Sequence, residues 1–190
     1  MTGCSPSDGD TVQRSTPAAS RLTTVPFAPS TTSKTPADTD YLGMLISASD
    51  LTDADDTFTE QSSESQPNGS PGASAFFVNG EDNRAIVDTF VIYADAATAT
   101  ATLKEAVATL PTLVKGGTPT ALAVGTDGVM ISGTYPNQDK AVTLVFFTEG
   151  TALVRLEFQS ATGDATTDQF VTSVAKMQQI ALRVGLARPR

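Results

Sequence analysis

The sequence has no histidine, no tryptophan and a single cysteine in 190 residues. Without histidine, Ser-His-Asp and Cys-His nucleophilic catalysis are excluded in their usual forms. The commonest ligand for zinc and copper is missing too. One cysteine forms no internal disulfide, and no thiolate cluster can hold zinc or an iron–sulfur centre. Basic residues are also few: 12 Lys and Arg stand against 21 Asp and Glu, a net charge of −9. A duplex nucleic-acid binder needs Lys or Arg to displace condensed counterions. No basic cluster of that kind is present, so nucleic acid is not an expected partner. No stretch of about 18 apolar residues occurs, and no helix long and apolar enough to span a bilayer is expected.

What is present divides unevenly. Thirty of residues 1–40 are Ser, Thr, Pro, Ala, Asp or Gly. Five prolines are spread through residues 5–40. Such a segment cannot bury enough apolar surface to offset its ordering entropy. It reads as a disordered tether, also of the composition of O-glycosylated stalks. Residues 41–190 are richer in Val, Ile, Leu and Phe and are long enough to bury one core. They carry 9 basic and 17 acidic residues.

The lone cysteine, Cys4, heads that tether in "MTGCSPSDGD". Thr2, Gly3 and Cys4 resemble the last three positions of a bacterial lipobox. Met1 stands where the lipobox has Leu, as a start codon replacing a removed signal would. The resemblance implies a lipid-modified Cys4, whose acyl chains anchor the protein stably to a membrane.

The periodic part predicts a short helix over Tyr41–Leu45 and an irregular loop over 50–72. "ASAFFVNG" (73–80) and "RAIVDTFVIYA" (84–94) read as strands joined through "NGEDN". Asp95 is placed to cap a helix whose apolar face is Ala99, Leu103, Ala106, Val107 and Leu110, ended or kinked at Pro111. "ALAVG", a turn at Asp127-Gly128, "GVMISGTY", "AVTLVFFTEG" and "TALVRLEFQSA" form a strand meander. In the last of these Arg155, Glu157 and Gln159 share one face and Leu156 and Phe158 the other, which predicts one wet face. A final helix starts at a Thr167 or Asp164 cap. Its expected stripe is Phe170, Val174, Met177, Ala181 and Val184, with Val171 and Gln178 beside it, and Gly185 as its stop. Strands that arrive as hairpins predict an α+β domain. Its antiparallel sheet has about five to six strands, with the mid-chain helix and the long C-terminal helix packed on it.

Few constellations carry chemistry. "DLTDADDTFTE" offers Asp53, Asp55 and Asp56 as calcium ligands. The EF-hand spacing fails, because Phe58 stands where that loop needs glycine. A solvated acidic loop is the simpler reading, and neither a metal nor a cofactor is expected. No carboxylate pair is marked out by spacing, and with three tyrosines and no tryptophan a sugar-stacking cleft is not expected. An enzyme would have to be a hydrolase working through carboxylates alone. The adjacent pairs Phe76–Phe77 and Phe146–Phe147 are more informative. Neighbours in a strand point to opposite faces. One phenylalanine of each pair enters the core, and the other is covered by a second layer or forms a patch for a ligand or partner.

Three further stretches carry a wider resemblance: "VIYADAATA" (91–99), "VGTDGVMISG" (124–133) and "FVTSVAKMQ" (170–178). Together with Cys4 and the tether, their layout resembles actinobacterial, particularly mycobacterial, cell-envelope lipoproteins of the LpqN/LpqT type, with a PsbP-like domain. The resemblance implies an exported, non-enzymatic domain held at the outer face of the plasma membrane through Cys4. Its expected partner is an apolar ligand such as a lipid, or an envelope protein. An accessory subunit of a membrane complex is the alternative. A sensor-like extracytoplasmic domain of similar size is a near competitor, and the missing cysteine framework counts against its disulfide-bonded types.

Overall fold

The computed structural model describes residues 39–52 and 56–187. Cys4, Asp53 and Asp55 lie outside the described residues. Seven antiparallel strands form one sheet: β1 (Phe58–Ser65), β2 (Gly72–Asn79), β3 (Ala85–Ile92), β4 (Thr120–Ala121), β5 (Thr126–Thr134), β6 (Lys140–Glu149) and β7 (Ala152–Ala161). Their order is β1-β2-β3-β7-β6-β5-β4. Three helices accompany them: α1 (Ala48–Leu51), α2 (Ala96–Leu113) and α3 (Asp168–Leu186). The fold is therefore α+β, with one strand more than the upper number expected. That strand is β1, placed where an irregular loop was expected. Seven of its eight residues are solvent-exposed, so it has no apolar alternation from which a strand is recognised.

The two long helices lie on opposite faces. Alternation along the strands sends Phe77, Phe90, Phe147, Val154, Leu156 and Phe158 to the core beneath α3 and the N-terminal segment. Leu144, Phe146, Leu153 and Ile131 go to a second core beneath α2. The two faces are called the α3 face and the α2 face below.

The helix ends follow local chemistry. Asp95 accepts the Thr98 N–H at 2.7 Å and starts α2. Pro111 stands inside its last turn, and the helix runs on to Leu113. Thr167 caps α3. Residues Leu42–Met44 form a single 3-10 turn where a short helix was expected. Ser47 and Asp50 then make a capping box for α1. The Asp127-Gly128 turn chemistry is spent inside β5. Asp127 takes φ +52°, and the register with β6 shifts between Thr126 and Val129.

The buried stripe of α3 is rotated from the expected one. Val171, Val174, Ala175, Gln178 and Leu182 face inward, while Val184 is exposed. Gln178 explains the rotation. Its Oε1 accepts the Ile46 N–H at 3.0 Å and its Nε2 donates to the Met44 carbonyl at 3.0 Å. The amide thus acts as the missing neighbour for a segment with no strand partner there. Gly185 does not stop the helix. A Cβ on it would lie 2.6 Å from Met44 Cγ, so glycine is what lets the 3-10 turn seat against α3. Gln178→Ala strands both backbone groups, and about 1–3 kcal/mol of stability is expected to be lost. Hydrogen exchange should report it first, as lost protection of the Ile46 amide.

Candidate functional site

α2 lies over β5, β6 and β7. Among the described residues no helix crosses the same face over β1, β2 and β3. Strand register lays that area out in rows. One row runs Arg155–Thr89–Ser74–Glu64, and the next runs Glu157–Val87–Phe76–Ser62. A third runs Gln159–Ala85–Val78–Thr59. Phe76, Val78, Ala85 and Val87 are half-buried, forming an apolar strip across β2 and β3. Ser74 and Thr89 hydroxyls bond each other at 2.7 Å.

Along the α2 side of this strip runs a polar wall. Arg155 is only 8% exposed and Glu157 only 5%. An Arg155 guanidinium nitrogen donates to a Glu157 carboxylate oxygen. The other Glu157 oxygen accepts from the Tyr135 hydroxyl and, at 2.7 Å, from Gln159 Nε2. The Arg155 Nε–H is buried without a partner. Burial lowers the Arg155 pKa to about 10 and raises that of Glu157. At neutral pH Arg155 keeps its charge, and the three donors on Glu157 favour its ionised form against the effect of burial. The alternation read from "TALVRLEFQ" holds, but the face is not wet there. Arg155 and Glu157 turn inward to each other, because they sit on a central strand flanked by β3 and β6.

The four phenylalanines separate. Phe77, Phe146 and Phe147 are fully buried in the two cores. Only Phe76 reaches the strip. Asp56 belongs to neither: it lies 3.8 Å from Arg84 Nε and accepts from Asn79 at 3.2 Å.

A second ionisable group is buried on the α3 face. Asp88 pairs across the sheet with Ala75 and Leu156 and is wholly buried, and neither carboxylate oxygen has a hydrogen-bond partner among the described residues. The nearby Ile46 N–H is already given to Gln178, so it compensates only weakly. Desolvation raises the Asp88 pKa from 3.8 to about 8. Sequence reasoning placed Arg155, Glu157 and Gln159 on one face but expected it to be wet, and it missed Asp88. The signal for Asp88 was available: Ile86, Asp88 and Phe90 alternate onto one apolar face.

No protein-family model matches the sequence, and no curated protein matches it. Among solved structures, the chain is similar to the extracellular domain of PknH from Mycobacterium tuberculosis, with a TM-score of 0.55 and 9% identity. The match covers 78% of this chain and 98% of that one. The likeness is one of fold. No described helix is long and apolar enough to cross a membrane.

Proposed function

We propose that this protein is an extracytoplasmic, non-catalytic binding domain that takes an amphiphile of the lipid class on the open part of its α2 face. The observation that carries the reading is the apolar strip of Phe76, Val78, Ala85 and Val87 lying against the buried Arg155–Glu157 wall. An apolar chain gains by covering the strip, and an anionic or polar head finds the guanidinium beside it. A few placed polar groups in an apolar setting are the usual make-up of a ligand site. The fold likeness to an extracellular domain supports a place outside the cytoplasm. The lipobox-like Thr2-Gly3-Cys4 supports attachment to the outer face of the plasma membrane through an acylated Cys4.

Native mass spectrometry of the protein extracted from its own membrane tests the reading. A co-purified lipid is expected, and Phe76→Asp should abolish its capture while leaving the two cores intact. A stoichiometric protein partner in its place would favour the accessory-subunit reading. Recovery of neither, under mild extraction, would sink both. The anchor has its own test in metabolic labelling with a fatty-acid probe. Cys4→Ala should remove the label, and retention of label would refute acylation at Cys4.

A further inference from the structure

The described residues with large, exposed apolar side chains are Leu42, Ile180 and Val184, at 42%, 58% and 51% exposure. All three lie on α3 or on the 3-10 turn that packs against it. Ile180 and Val184 are one helical turn apart, so they adjoin on one face. Lys176 precedes Ile180 by four residues, and Arg183 follows it by three, which brings both cations to the flanks of the same face. The inner side of α3 is fixed by Gln178 and cannot rotate this outer side out of view.

Charge points the same way. Residues 41–168 hold five Lys and Arg against seventeen Asp and Glu. Residues 169–190 hold Lys176, Arg183, Arg188 and Arg190 and no acid. The end of the domain is therefore basic where the rest is acidic, and Ile180 and Val184 lie in that basic stretch. A helix with apolar side chains between cations is the pattern that lies in a membrane interface. We infer that the outer face of α3, with Leu42 beside it, rests on an anionic lipid surface. The rest of the domain, being acidic, is repelled by such a surface, which favours the orientation with α3 down. Arg183 also holds Glu149, at 3.1 Å. The inference is independent of any ligand on the α2 face and of acylation at Cys4.

The test is co-sedimentation of the full, unacylated 190-residue chain with vesicles, at millimolar lipid. One set contains phosphatidylglycerol and phosphatidylcholine in equal parts, and the other phosphatidylcholine alone. The expected result is binding to the anionic vesicles only, weakened by salt. The double variant Ile180→Glu/Val184→Glu should cut it at least about tenfold, since both the apolar contact and the charge complementarity go. Lys176→Gln should weaken it less and reduce its salt dependence. Both changes are on exposed positions, and an unchanged thermal midpoint confirms that the fold is kept. Equal binding to neutral vesicles, binding indifferent to the double variant, or no binding at millimolar lipid would each overturn the inference. So would a dimer in sedimentation that the double variant dissolves, which would assign the face to a protein contact.

Discussion

Asp88→Asn is expected to stabilise the protein, and to do so more the higher the pH. Between 3.8 and about 8 the native state keeps a proton on Asp88 that the unfolded chain has released. Stability therefore falls as pH rises through that window and levels off above it. Each pH unit within it costs roughly 1.4 kcal/mol, and part of that is recovered as the site relaxes. Its neighbours are Ala75 and Leu156 across the sheet and the Ile46 N–H that Gln178 holds. The asparagine variant should gain about 3 kcal/mol at pH 8, a rise in Tm of about 6–12 °C for a chain of this size. At pH 5 the gain should be much smaller. Thermal melts of both proteins from pH 5 to pH 9 measure it. A wild-type Tm flat across that range would refute a buried, protonated Asp88. A residual downward slope in the variant is expected from Glu157, which burial shifts in the same direction.

The second large effect is at the Arg155–Glu157 pair. Glu157→Ala leaves a guanidinium on a central strand with nothing to balance it. A loss of about 3–5 kcal/mol is expected, which lowers Tm by on the order of 10 °C. Arg155→Met combined with Glu157→Leu removes both charges and should be near neutral or stabilising. Urea unfolding of the two variants against wild type reads this directly. A double variant as unstable as the single one would mean the pair is a net source of stability. A stable double variant is also the control for ligand capture, because it has lost the polar wall and kept the fold.

Most of the architecture was legible because it rests on local pattern. The hairpin over 79–83, the Asp95 and Thr167 caps and the strands from Val129 onward follow from turn chemistry and alternation that tertiary context did not override. β1 was not legible, since an edge strand exposed along seven of its eight residues has nothing to alternate. The polar wall was half legible. Spacing placed Arg155, Glu157 and Gln159 on one face, but only the strand order shows that this face is central and partly roofed by α2. Gln178 and Asp88 are lone polar residues in apolar stripes. The role of Gln178 depends on a segment 132 residues away in the chain, which no window along the sequence contains, whereas the burial of Asp88 could have been read from its own strand.

The strand order also has a bearing on how the chain is made. β1–β3 and β4–β6 are each local meanders, and they meet only through β7, which pairs with β3 on one side and β6 on the other. The 3-10 turn near the start is then locked by α3, the last helix. During synthesis neither half can complete its side of the sheet until the chain beyond Ala152 has emerged. Until then both halves carry unpaired strand edges. Closing contacts of such long sequence separation is slow. A chain delivered across a membrane from its N-terminus would thus cross it unfolded and reach its final form only on release of its C-terminal helix. Loss of even that last helix would leave a half-bound first segment rather than a slightly smaller domain.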